Sequence, residues 1–290
     1  MTSASVVSFS PPDIYGQRHP HETPELIASK LHEFHAEVEN LPKEETTCVR
    51  QAKDRCPQLL DDEFHLLFLR CEVFNVDLAA KRYAKYWTKR VELFGEDKAF
   101  EPLTLEKALR DDRIVLELGM VRPTGTKDPQ SDRSIIFLDP SLQDKTKYTR
   151  ESMTRSVWYI FHAVLEENIV AQQRGVIMIN YPHHAQLAQL DRTQIRMIVE
   201  SIKGYLPVRM TAMHLCHPPV FFAVVFPIIK LFLGERLRKR LRVHAGSQEH
   251  VLQHLEEKFG LTKDVLPSDI GGNIVLDHHQ WLEDRALQGK

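Results

Sequence analysis

Residues 204–246 read GYLPVRMTAMHLCHPPVFFAVVFPIIKLFLGERLRKRLRVHAG. VRMTAMHL (208–215) is a compact, largely apolar run that reads as a buried strand. His217-Pro218-Pro219 then forces an extended lead-in, because a residue before proline avoids the helical region. From Val220 to Ile229 the chain is apolar without a break, and the helix this predicts reaches Leu233 and ends at Gly234. Pro227 removes one backbone hydrogen bond inside it and predicts a kink there. Phe221, Phe222, Val225, Phe226, Ile228, Ile229 and Phe232 cover most of its circumference. A helix apolar all round is buried on most sides or meets lipid. Six bases follow between Lys230 and Arg242, against one acid, Glu235. On a continuing helix Arg236, Lys239 and Arg240 share a face, with Arg238 and Arg242 in a second row. Two readings stay open from these residues: a core helix followed by a solvated basic one, or a lid over an apolar pocket beside a patch that attracts anionic headgroups. In the second, each base near an anionic surface contributes about 1 kcal/mol. Each Phe or Ile moved from water into lipid contributes about 1.5–3 kcal/mol.

Upstream, RSIIFLD (133–139) and GVIMIN (175–180) are two further apolar strand candidates. Helical patterns separate the three, over residues 148–173 and 193–206. Strand–helix–strand–helix–strand predicts an α/β fold on a mainly parallel sheet with right-handed crossovers. The near-continuous apolar strands fit a sheet covered on both faces. The first hundred residues differ. Thr23-Pro24 opens a helix over 24–39, Asp61-Asp62 a second, and Asp77 a third that stops near Gly95. The expected organisation is a flexible tail over 1–22, a helical module over 23–100, an α/β domain over 105–276 and a C-terminal tail over 277–290.

At 42% apolar and 27% charged residues, with a formal charge of −2, the 290-residue chain has ordinary globular composition. No global field draws it to nucleic acid, so no nucleic-acid partner is expected and any electrostatic targeting is local. The opening MTSASVVSFSPPDIYG lacks the basic and apolar regions of a secretory signal, no N-x-S/T sequon occurs, and no apolar run reaches membrane-spanning length. These features lead to the expectation of a cytoplasmic protein. GxSxG, HExxH, GxGxxG and P-loop motifs are absent. Cys216 lacks the glycine-rich cradle of a cysteine phosphatase and reads as a small core residue. His183-His184 and His278-His279 read as surface histidines, and Asp61-Asp62 and Asp111-Asp112 as caps. No catalytic residue, metal site or cofactor is expected.

HLLFLRCEVFNVDLAAKRYAKYW (65–87) resembles the helical leader of the CRAL-TRIO lipid-transfer proteins. GVIMIN matches that family's central strand, residues 204–246 its gate segment, and DVLPSDIGGN (264–273) its terminal LP-x-x-x-GG motif. Four motifs in the family's order, over residues 25–275, make the resemblance specific, nearest to the branch of alpha-tocopherol transfer protein, retinaldehyde-binding protein and the clavesins. The resemblance implies a CRAL-TRIO fold: an all-α N-terminal module, then a sheet-floored cavity closed by a mobile gate helix. It implies binding and transfer of one hydrophobic lipid, not catalysis, by a protein reversibly associated with anionic membranes. The alternative is a lipid-sensing interaction module without net transfer. Cavity walls are implied at Trp158, Phe161, His162, Leu165, Ile177, Ile179, Ile198, Ile202, Leu206, Met210 and Met213, and on the gate at Phe221, Phe222, Val225, Ile228 and Ile229. Phosphoinositide headgroup contacts are implied at Arg209, Arg236 and Arg240, with Lys230, Arg238 and Lys239 as further bases. Two more headgroup-binding arginines of the tocopherol branch correspond here to Glu72 and Thr211, and small hydroxyl residues of its pocket to Trp158 and His162.

Overall fold

The computed structural model describes residues 7–290. Four helices form the N-terminal module: α1 (Pro24–Asn40), α2 (Thr47–Arg55), α3 (Asp62–Cys71) and α4 (Val76–Phe94). The Thr23 side chain accepts from the Leu26 N–H, and Pro24 sits in the first turn of α1, where no N–H is needed. Helix α4 begins earlier than the Asp77 cap predicted. Its cap is Asn75, whose side chain accepts from the Leu78 N–H, after Val73 and Phe74 turn the chain with φ of 57° and 59°. These helices close over Phe34, Phe68, Tyr83, Tyr86 and Trp87, all fully buried.

Five strands follow in the spatial order β1-β2-β3-β4-β5. They are β1 (Val121–Lys127), β2 (Ser134–Leu138), β3 (Val176–Asn180), β4 (Met210–Cys216) and β5 (Leu241–His244). The three predicted strands are the central β2, β3 and β4, which run parallel, as does β5 beside β4. Edge strand β1 pairs antiparallel to β2. Helix α5 (Arg113–Glu117) precedes β1. Helices α6 (Arg150–Glu167) and α7 (Ile169–Arg174) connect β2 to β3. The single helix predicted over 148–173 is split at Asn168, whose side chain accepts from the Val170 N–H and starts α7. Helix α8 (Arg192–Glu200) runs into a π-helical turn over Ser201–Tyr205 on the way to β4. Helix α9 (Phe222–Arg238) joins β4 to β5, and α10 (Gln248–Phe259) and α11 (His278–Leu287) follow.

Strand alternation sends successive side chains to opposite sides of the sheet. Ile135, Phe137, Ile177, Ile179, Ala212 and Cys216 form a back core with Val251, Leu252 and Leu255 of α10 and with Leu261, Leu266 and Ile270. Ile136, Met178 and Met213 belong to the front core with α6, α8 and α9, which is continuous with the core of the N-terminal module.

Both expected tails are corrected where they are described. Tyr15 is buried and stacks on Phe259 at 5.6 Å, and Gln17 Nε2 donates to the Thr211 carbonyl at 2.8 Å, so residues 7–22 cover the sheet. Residues 1–6 of that expected tail lie outside the described residues. At the other end α11 buries Leu282, and its Arg285 donates to Tyr159, Glu167 and Glu166 on α6 at 2.7, 2.8 and 2.9 Å. No helix among the described residues is long and apolar enough to cross a membrane.

Candidate functional site: a roofed cavity and a basic cleft

Helix α9 roofs a cavity of about 170 Å³ on the front of the sheet. Its floor is Leu138, Met178, Asn180, Met213 and Leu215 from the strands, with Met120, Val121 and Leu241 at the edges. Val157 and Phe161 of α6 form one wall, and Gln194, Ile195, Ile198, Val199 and Ile202 the opposite one. Phe221, Phe222, Phe226, Ile229 and Leu233 close the top.

Seven predicted wall residues meet here: Phe161, Ile198, Ile202, Met213, Phe221, Phe222 and Ile229. The others lie elsewhere, each for a geometric reason. Ile177 and Ile179 point to the back core, and Met178 between them takes the floor position. On α6, residues four apart share a face, so Val157 and Phe161 meet the cavity while Trp158 and His162 turn toward α4. Trp158 stacks on Tyr86 at 5.1 Å, and His162 lies edge-on to the same ring at 5.7 Å. Burial, with Arg90 nearby, pushes His162 down to about 3, so it is neutral at physiological pH. Leu165 and Leu206 are buried in the front core, Met210 lines the neighbouring cleft, Val225 is buried, and Ile228 is half-buried outside the lining. Sequence reading missed the polar members of the lining, Gln143, Asn180, Gln186, Gln189, Asp191 and Gln194, because an apolar pattern marks only apolar wall positions.

The roof differs from its predicted form at one end. The backbone leaves helical geometry at Gly234 (φ 66°, ψ 174°), where the helix end was expected, and this is the interior break, not Pro227. One more turn reaches Arg238, and the chain enters β5, so Arg242 stands on a strand and not on a second basic row of a helix. The outer surface of α9 exposes Val224 and Leu231, at 76% and 75%, and the turn before it exposes Val220, at 93%.

Beside the roof lies a cleft of about 260 Å³. Arg18, Arg82, Lys203, Arg209, Arg236 and Arg240 line it, and no acid does among the described residues. Arg209, Arg236 and Arg240 are thus brought together, whereas Lys230, Arg238 and Lys239 stay outside. Lys230 lies over the Phe226 ring at 4.5 Å, Arg238 donates to the Gly234 carbonyl, and Lys239 pairs with Glu235 at 2.7 Å. Burial, with Arg236 and Arg240 close by, pushes Arg209 down to about 10, leaving it charged at neutral pH. Glu72 is buried between two arginines, 2.5 Å from Arg82 and 3.1 Å from Arg236. Arg82 also donates to the carbonyls of Leu206 and Lys203 at 2.9 and 2.8 Å, tying the π-helical turn to α4. Thr211 is buried and donates to the Arg174 carbonyl, away from the cleft.

Among the described residues, one group has metal-compatible spacing: His35, Asp62 and His65, in the N-terminal module. His35 Nε2 lies 3.2 Å from His65 Nδ1, and His65 Nε2 lies 3.4 Å from the Tyr83 hydroxyl. Asp61 caps α3 as read, and Asp112 instead holds Arg155 in a bidentate pair at 2.6 and 2.7 Å.

A cavity walled by apolar side chains under a single helix suits binding of one small hydrophobic molecule. The model of the CRAL/TRIO domain matches residues 125–272, and the chain belongs to that family, whose membership points to lipid binding or transfer. It is similar to Clavesin-2 of Homo sapiens and of Rattus norvegicus, 26% identical over 221 residues, covering 74% of this chain and 62% of either relative. Clavesin-1 of Xenopus laevis is 24% identical over 219 residues, covering 74% of this chain and 61% of its own. The chain therefore spans less than two thirds of these relatives' length. The crystal structure of Sfh5 shares the fold, with a TM-score of 0.55 at 12% identity, over 89% of this chain and 98% of that one.

Proposed function

We propose that this protein binds one hydrophobic lipid in the cavity under α9 and transfers it between membranes, without catalysis, docking on anionic, phosphoinositide-containing surfaces through the cleft around Arg209, Arg236 and Arg240. The observation that carries the reading is the placement of α9. Its inner side closes the mainly apolar cavity, its outer side and the turn before it expose Val224, Leu231 and Val220, and the basic cleft lies at its end. Inserting three such side chains into lipid contributes about 1.5–3 kcal/mol each. The cavity is smaller than the roughly 300–1,000 Å³ of drug-sized ligand sites, so loading a lipid requires α9 to move outward. Such a lid needs two states of similar free energy, and the membrane supplies the differential interaction that favours the open one. Glu72 pairs with Arg82 and Arg236 and neutralises part of the cleft, leaving Arg18, Lys203, Arg209 and Arg240 as the lining bases it does not pair with.

The test is vesicle binding by the Arg236→Gln/Arg240→Gln double variant. At about 1 kcal/mol per base, affinity for phosphoinositide vesicles falls roughly 30-fold. Lipid content of the purified protein, read by mass spectrometry of its organic extract, stays unchanged. Unaltered vesicle affinity would remove the docking role. Retained lipid with no donor-to-acceptor transfer would replace the carrier by a lipid-sensing module.

A further inference from the structure

Of the polar side chains in the mainly apolar lining, which also include Gln143, Gln186, Gln189 and Asp191, Asn180 and Gln194 each leave a buried oxygen without a partner. Gln194 is 2% exposed, and its Oε1 makes no hydrogen bond. Asn180 Oδ1, at the end of β3, is likewise buried and unpartnered. A buried acceptor left unmade costs about 1–3 kcal/mol, so such a group in a native site calls for a partner.

The orientation of the Gln194 amide follows from its neighbour. Thr154 Oγ1 donates its one proton to the Arg150 carbonyl at 2.7 Å. That hydroxyl therefore has only acceptor capacity left, and Gln194 Nε2 donates to it at 3.0 Å. With the amide nitrogen committed to Thr154, Oε1 is the free end. The side chain is an acceptor fixed in place by the hydrogen bond of its amide nitrogen to Thr154, not a floppy polar tip. It belongs to α8, the wall between the floor strands and the α9 roof, and lines the cavity; Oε1 itself is covered in this closed arrangement, so a ligand reaches it as the roof moves outward.

We propose that Gln194, with Asn180 as a second acceptor, selects a lipid that carries a hydrogen-bond donor, a hydroxyl, over an otherwise equal lipid with only an acceptor. This rests on the lipid-binding reading above. The donor is identified by chemistry alone: an aldehyde, ester or ether oxygen would face Oε1 with a second lone pair and leave both unsatisfied. A site built to hydrogen-bond a hydroxyl discriminates strongly against the analogue that lacks it, because its own buried group is then unpaired.

The experiment is competitive displacement of a fluorescent lipid from the full chain by hexadecanol, by hexadecanal and by hexadecane. The inference expects hexadecanol to bind at least roughly 10-fold more tightly than hexadecanal. In Gln194→Met, similar in shape but without the acceptor, the ratio falls to within about 2-fold. The wild-type ratio decides by itself if that variant does not fold. Equal binding of alcohol and aldehyde overturns the inference and leaves the lipid-binding reading standing. A preference for the aldehyde also overturns it, since the amide nitrogen would then face the cavity. Failure of all three to displace the probe, or of the probe to bind, overturns both.

Discussion

The two sides of the central sheet use alternate residues of the same strands, and they end up opposite in character. Behind the sheet, Ile177 and Ile179 meet Leu252 and Leu255 of α10 in a closed core. In front, Met178 and Asn180 face a cavity whose roof is half-buried and apolar on both sides. Both sides are hydrophobic, so hydrophobicity does not separate the structural side from the binding side. Completeness of packing does. Interiors filled to crystal-like density resist change, and a wall that adjoins empty volume has already lost part of its contacts.

The largest effect that tests this contrast is a pair of truncations. Leu255→Ala, in the fully buried back core, is expected to cost about 2–5 kcal/mol. Met178→Ala on the cavity floor is expected to cost at or below about 2 kcal/mol, because the new space merges with space already present. Urea unfolding measures both, and equal losses would break the comparison.

Acid gives the next largest effect. His214 Nδ1 and His244 Nε2 lie 2.9 Å apart on the back side, with His254 and Arg242 nearby. Burial, then these neighbours, pushes His244 down to about 4 and His214 well below its ordinary range. Their folded-state values lie below the unfolded value near 6.5, so the unfolded chain binds more protons in between. Stability is therefore full above about pH 6.5 and is lost as pH falls toward about 4, by up to about 1.4 kcal/mol per pH unit for each histidine. His65, pushed down to about 4 by burial and His35, adds to the same window from the N-terminal module. Hydrogen exchange sharpens the assignment: α10 should open earlier than α4 as acid is added, and the pH slope of unfolding should lessen in His244→Asn. A flat stability profile across that window would count against the back-side pair.

The smallest stability effect belongs to the roof. Val224→Ser, on an exposed side chain, is expected to change stability by no more than about 0.5 kcal/mol. Vesicle binding should nevertheless weaken. A loss of stability larger than that would show Val224 packed in solution and not presented outward.

Much of this architecture is legible in the sequence because local chemistry and tertiary context agree. Thr23-Pro24 starts a helix, Gly234 breaks one, and the three apolar runs become the three central strands. The edge strands were not legible. VRPTGTK is polar and contains proline, and LRVH continues a basic helical pattern, so only pairing with β2 and β4 makes them strands. The cavity lining was half legible for a related reason. In GVIMIN both alternations are apolar, so period-two reading cannot tell Ile177 and Ile179 from Met178. On α6 the choice between Trp158 and Val157 depends on where the N-terminal module docks, which no residue of α6 encodes. Spacing put Arg236 and Arg240 on one face, but Arg209 precedes β4, at the other end of the gate segment, and a resemblance alone joined it to them.

Helix α9 is also the connection between two neighbouring strands. Its first end is held where the His217 N–H donates to the His244 carbonyl, and its last runs into β5. It is a strap buckled at both ends, not a flap on a single hinge. Swinging free is mechanically closed to it. The outward travel proposed above would then be a bowing motion, with rotation taken up where the backbone already has positive φ, at His217 before the helix (50°) and at Gly234 within it (66°). A strap that bows would open a slot along its length while keeping the strands it joins, β4 and β5, in register.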